Sequence, residues 1–225
     1  MSWFEQAPWE ERYRGTTAVW SGRPNHWLVA EAAGLRPGTA LDAGSGEGGD
    51  SLWLAGRGWQ VTAVDFAGAA LERGARAAEA AGLADRVDWV RADLRTWTPP
   101  GSYDLVSVQF LHPAAEARKA VLGRLAGAVA PGGTLLVVGH DIGEGAGPGA
   151  GHGHDAGPGA GHGGGAEHGG HAPGVYPSAA ELAADLEPAA WEIVAAEQRQ
   201  RPATGHEAEH GTILSDAVLV ARRRA

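Results

Sequence analysis

Ala40-Leu-Asp-Ala-Gly-Ser-Gly-Glu-Gly-Gly-Asp50, running on into Ser51-Leu-Trp-Leu-Ala55, sets four glycines between two apolar runs. Ahead of it, Thr39-Ala-Leu41 reads as a short apolar strand; behind it, Leu52, Leu54 and Ala55 open a helix. A glycine-dense turn from strand to helix lets the backbone come close to a ligand, because no Cβ atoms stand in the way. It also aims the helix N-terminus, with its free N–H groups and partial positive charge, at whatever binds there. Gly44, Gly46 and Gly48 therefore mark a nucleotide-type site. Gly44, Gly46 and Gly49 equally satisfy the G-x-G-x-x-G dinucleotide pattern, so the loop alone leaves a nicotinamide site open.

Three acids add to the loop. Asp42 sits two residues before the first glycine. Asp65 ends the next apolar run, Gln60-Val-Thr-Ala-Val-Asp65, at the distance where an acid receives ribose hydroxyls. Asp93 ends Val87-Asp-Trp-Val-Arg-Ala-Asp93. With these residues the sequence resembles the class I S-adenosylmethionine-dependent methyltransferases. The resemblance implies that Gly44 and Gly46 lie against the methionine and ribose portion of the donor. It implies too that Asp65 takes the ribose diol and Asp93 the adenine amino group. Asp42, Phe66 and Leu94 (the last two each following one of these acids) join the donor site on the same basis. Tyr103-Asp-Leu-Val resembles the opening of the family's fourth strand, which places Gln109 toward the methionine portion. His112, just beyond, is then the candidate general base, since an unperturbed imidazole titrates near neutrality. His140 and Asp141 could serve in the same role.

Outward from the loop the chain alternates. Strands are expected over 61–66, 87–93, 103–110 and 134–138, with helices over 69–81 and 114–129 between them. Gly82 should cap the first of these helices. Near-continuous apolar strands alternating with helices mean a parallel sheet covered on both faces, which binds ligands at the strands' carboxyl ends. Asp42, Asp65, Asp93 and Phe110 all fall there. After a capping box at Ser178-Ala-Ala-Glu181, strands over 191–197 and 215–221 close the chain. The fold expected is a doubly wound α/β sheet of seven strands, Rossmann-like, with an antiparallel last strand that a nicotinamide-binding fold lacks. Residues 1–35 carry Trp3, Trp9, Tyr13, Trp20 and Trp27 and read as a helical cap. Part of it would close over the donor as an apolar lid, with Trp20 and Tyr13 on the sulfonium or adenine.

Composition narrows the function. The chain's 225 residues, 44% of them hydrophobic, suffice for one sizeable core. Without cysteine it has no disulfide, no thiolate nucleophile and no cysteine metal site. A net charge of −9 repels a phosphate backbone and argues against nucleic acid as substrate. No export signal and no apolar run near the ~20 residues of a membrane span stand out, so a cytoplasmic setting is expected.

One segment stands apart. Residues 143–174 are mostly glycine, alanine and histidine, and the octet Ala146-Gly-Pro-Gly-Ala-Gly-His-Gly153 recurs at 156–163. So little apolar side chain cannot offset ordering entropy, and disorder is expected. Its histidines, His152, His154, His162, His168 and His171, could weakly hold a divalent metal. The methyltransferase domain is then 36–142 with 175–225. Within the family the sequence looks most like the small bacterial tellurite-resistance and thiopurine methyltransferases. The motifs are the Gly-Glu-Gly loop with Ser51-Leu-Trp-Leu-Ala-Gly-Arg-Gly, Trp20-Ser-Gly-Arg-Pro-Asn25 and the closing Trp191-Glu-Ile segment. The function implied is methyl transfer to a small-molecule acceptor, with soft sulfur, selenium or tellurium nucleophiles in view. A metal-binding protein acting through the Gly/His segment and a nicotinamide-dependent oxidoreductase are the alternatives.

Overall fold

The computed structural model describes residues 6–15, 18–111, 115–141, 176–202 and 213–225. His112, the whole of the Gly/His segment and the link at 203–212 lie outside them. Seven strands form one sheet: β1 (Thr39–Ala43), β2 (Gln60–Asp65), β3 (Val87–Arg91), β4 (Tyr103–Gln109), β5 (Val129–His140), β6 (Trp191–Pro202) and β7 (Ile213–Arg223). Their order is β3-β2-β1-β4-β5-β7-β6. The first five are parallel; β7 runs antiparallel to both β5 and β6. The doubly wound sheet with an antiparallel last strand is thus the architecture found. The order reverses between β1 and β4, and that switch point lies beside the glycine loop.

Each face of the sheet has its own apolar layer, set by alternation along the strands. On one face Leu41, Val106, Val108, Leu135 and Val137 meet α5 (Ala115–Gly127) and α6 (Ala179–Ala184). On the other, Ala40, Leu105, Leu136, Val138 and Val218 meet α2 (His26–Ala32) and α3 (Gly49–Gly56). A third, smaller cluster joins α1 (Gln6–Arg14) to the start of α4 (Gly68–Ala80) through Tyr13, Trp9, Ala67 and Ala70. No helix among the described residues is long and apolar enough to cross a membrane.

The local signals act as the sequence suggests. Asn25 caps α2, its side chain accepting from Trp27 N at 2.7 Å. Ser178 and Glu181 close the capping box of α6. After α4, Gly82 at φ +69° lets Leu83 N reach Ala78 O and its own N reach Glu79 O, which satisfies two of the helix's last carbonyls. Strand limits differ more. β3 stops at Arg91, so Asp93 lies in the following loop. β6 extends to Pro202, because antiparallel pairing along β7 continues where the apolar alternation has faded.

Trp89 shows how tightly the α2/α3 face closes. Its indole lies over two glycines, Gly48 in the loop and Gly74 in α4; a Cβ on either would sit 2.3 Å from the ring. Replacing Gly74 by alanine should destabilise the fold by about 1–3 kcal/mol despite better helix propensity. Gly123→Ala, in α5 with open space around it, should instead stabilise by up to about 1 kcal/mol. Urea denaturation of the two variants checks the contrast.

Candidate active site

The glycine loop is built by its backbone. Gly44, Gly46 and Gly48 have φ of +83°, +52° and +81°, the left-handed region that a side chain disfavours. Gly44 N and Ser45 N both donate to Val64 O, at 2.8 and 3.0 Å, which ties the loop to the end of β2. Asp65, the next residue, completes the tie: its Oδ2 accepts from Gly46 N at 2.9 Å and its Oδ1 from Ala67 N at 2.8 Å. The buried carboxylate therefore joins the loop to the turn after β2. Leu111, beyond β4, packs against Gly44.

Asp42 and Asp50 lie beneath the loop. Ser51 donates to Asp42 at 2.6 Å and Asn25 N to Asp50 at 2.5 Å. Burial pushes Asp42 up to about 6, with Asp65 adding to the rise against the Ser51 hydrogen bond. Burial and the neighbouring Asp42 push Asp50 up to about 8. Asp65 is likewise raised by burial, opposed by the backbone N–H groups it accepts from. Asp93 differs: Arg95 grips it with Nε and a terminal nitrogen at 2.6–3.0 Å, and this bond holds it below its ordinary value.

The other expected donor residues fall along the same rim. Phe66 packs in the aromatic cluster with Tyr13 and Trp20, whereas Leu94 is buried in the α5/α6 layer. Gln109 donates from Nε2 to Ser107 at 2.9 Å, while its buried Oε1 has no partner among the described residues. Ser45 Oγ, in the loop itself, is also buried without a partner. An open cleft at the opposite ends of the strands, lined by Thr39, Gln60, Asp85, Arg86 and Tyr103, contains neither the glycine loop nor Asp42, Asp65 or Asp93.

The N-terminal segment lies directly on the loop. A Cβ on Gly46 would meet Tyr13 Oη at 3.1 Å and Trp20 Nε1 at 3.5 Å. Trp20 Nε1 donates to Tyr13 Oη at 2.8 Å, and Trp9 packs on both rings. Two residues that the sequence reading passed over fasten this segment. Glu47, inside the loop, accepts from Val19 N at 3.0 Å and Trp20 N at 2.9 Å. Arg73 of α4 pairs with Glu47 at 2.6 Å and donates to Gly15 O. The acidic residue between Gly46 and Gly48 was the only local signal for the first; nothing in the sequence pattern marks the second.

Residues 40–133 match the family model described as a methyltransferase domain. That match covers less than half of the chain and, with the fold, supports an enzyme. Among curated proteins nothing matches the chain. Solved structures similar to it include one concerned with conversion of a disulfide bond into a thioacetal group during echinomycin biosynthesis. It has a TM-score of 0.69 at 21% identity, over 97% of this chain and 91% of that one. TehB from Haemophilus influenzae has a TM-score of 0.66 at 16% identity, over 97% and 67%. Magnesium protoporphyrin IX methyltransferase (ChlM) from Synechocystis PCC 6803, with bound SAM, has 0.55 at 18%, over 98% and 79%. At these identities the likeness is one of fold. The nicotinamide and metal-carrier alternatives gain no support from any of these matches.

The raised carboxyls predict an unusual pH response. In the folded protein Asp42 and Asp50 keep protons that the unfolded chain releases near pH 4. Stability should therefore fall as pH rises from about 4 to about 8, then level off. The carboxyls held below their ordinary values act only beneath that window. Asp50→Asn keeps an acceptor for Asn25 N and should flatten the decline between about pH 6 and 8. Denaturation midpoints at a series of pH values check it.

Proposed function

We propose that the protein transfers a methyl group from S-adenosylmethionine to a small-molecule acceptor, with the donor seated on the glycine loop. The observation that carries this is the loop itself. Three left-handed glycines at the switch point leave the backbone open to close approach by a ligand, and Asp65, Asp93 and Gln109 stand around them at or just beyond the ends of three strands. The residues fit the donor. Ser45 Oγ and Gln109 Oε1 are buried polar atoms whose partners a polar ligand can supply. Gly44 and Gly46 would accommodate the methionine and ribose portion, Asp65 the ribose diol, and Asp93 with the Leu94 backbone the adenine edge. Asp42 supports the loop from below, and Phe66 flanks the ribose. When bound, the donor supplies a carbon activated by positive sulfur, so the protein's work is positioning and exclusion of water.

The cap of Tyr13 and Trp20 closes the site from above, with Glu47 and Arg73 as its fastening. By motif the sequence resembles the small bacterial tellurite-resistance and thiopurine methyltransferases, which favours a soft acceptor such as a thiol. The Gly/His segment would have loose affinity for divalent metal through its histidines.

Calorimetric titration with S-adenosylhomocysteine tests the reading: binding is expected, and NAD should give none. Asp65→Ala should lose about 1.5–3 kcal/mol of that binding; unchanged affinity would remove Asp65 from the site. Glu47→Ala should leave the sheet folded and speed release of S-adenosylhomocysteine, as followed by stopped-flow tryptophan fluorescence. An unaltered release rate would mean that the cap does not gate the donor.

A further inference from the structure

A second cluster lies two strands along the same edge, at the carboxyl ends of β4 and β5, outside every residue assigned to the donor. His140, the last residue of β5, pairs across the sheet with Asp216 of β7. Its Nδ1 stands 3.8 Å from Asp216 Oδ1, and its side chain remains 15% exposed, while Asp216 is fully buried. Asp216 is fixed in place by Trp27 Nε1 at 2.8 Å and Arg201 Nε at 2.7 Å. Burial would raise its carboxyl; His140, Arg201 and Trp27 outweigh that and hold it below its ordinary value, so it stays charged. The His140 ring lies 4.6 Å from that of Phe110 and 6.1 Å from that of Tyr176. Phe110, in turn, has φ +51°, the one left-handed residue other than glycine among those described. Such a conformation is strained and persists only where the surroundings enforce it, typically beside a functional site.

Alternation puts these groups on one sheet face. Asp42, Gln109, His140 and Asp216 share parity with the apolar residues of the α2/α3 layer. The polar row therefore continues from the glycine loop to the dyad. Strand spacing separates β1 from β5 by roughly 10 Å, a distance that the donor's methionine chain and an acceptor can bridge.

Resting on the donor reading above, we propose that His140, oriented by Asp216, is the general base, and that the acceptor is a nucleophile that arrives protonated: a thiol, amine or hydroxyl. A proton on Nδ1 facing Asp216 makes Nε2 the basic nitrogen of the ring. The acceptor's lone pair forms the new bond to the methyl carbon, and the carbon–sulfur bond breaks with its electron pair left on the donor's sulfur. The acceptor's proton passes to Nε2, leaving an imidazolium beside an Asp216 carboxylate that Arg201 shares. Among the described residues, Asp216, Arg201 and Tyr176 are the charged or titratable groups near His140, with Asp141 next to it in the chain. Arg201 already offsets much of Asp216, so the carboxylate orients the ring more than it charges it.

The test follows S-adenosylhomocysteine formation with 2-mercaptoethanol, benzylamine and catechol, and with 4-nitrothiophenol, an aryl thiol already ionised at neutral pH. At least one protonated probe should turn over, with a kcat that falls at acid pH. His140→Asn should lower that kcat by 100-fold or more and abolish the acid limb, while KM changes only a few-fold. If the ionised probe turns over, its kcat should survive the substitution. S-adenosylhomocysteine binding, measured by calorimetry in the same variant, should be unchanged; its absence in the parent protein would refute the donor reading instead. The proposal is overturned if no protonated probe reacts, if His140→Asn retains the acid limb, or if His112→Asn abolishes that limb while His140→Asn does not.

Discussion

The structure hangs on the two backbone N–H groups, Gly44 and Ser45, that converge on Val64 O, with Asp65 behind them taking Gly46 N. This small knot fixes the end of β1 to the end of β2 and sets the direction in which α3 departs. Every other part of the site is then placed by contact with it. Leu111 reaches Gly44 from β4, Trp89 lies over Gly48 from β3, and Arg23 O comes within 2.9 Å of a Cβ position on Gly49. Side chains on these glycines would separate elements that now touch.

The same knot explains a charge problem and its resolution. Asp42, Asp50 and Asp65 are concentrated where the chain turns, and each is held up by burial. Hydrogen bonds from Ser51, Asn25 N, Gly46 N and Ala67 N return part of the lost solvation but bring no positive charge. Glu47 is the exception, having Arg73 as a counter-ion. The loop thus rests on acids whose ionisation burial opposes, with the N–H groups of Gly44, Ser45, Gly46 and Gly48 already engaged, so a ligand meets bare backbone there.

Much of the fold was legible because its signals are local. Apolar runs ending in Asp42 and Asp65, the glycine turn, the Gly82 terminus and the Ser178–Glu181 box each report on a few neighbouring residues, and each took the form expected. The cap's fastening was not legible. Glu47 meets Trp20, and Arg73 meets Gly15, across 27 and 58 residues of chain, and no periodicity encodes such meetings. The His140–Asp216 pair escaped for the same reason: the sequence places each at a strand end, but only the register of β5 on β7 sets them side by side. Asp93 was recognised by its place after an apolar run, while its Arg95 clasp depends on the loop beyond it.

The position of β7 has a consequence for the order of assembly. It is inserted between β5 and β6, so the sheet to one side of β4 cannot close until residues 213–223 have joined it. The bond from Trp27 to Asp216 spans 189 residues, and loop closures of that length are slow compared with forming a neighbouring βα unit. During synthesis the half built from β1 to β4, glycine loop included, can form while one edge of β5 waits uncovered. That exposed edge is the chain's most vulnerable moment, and it ends only when the hairpin arrives.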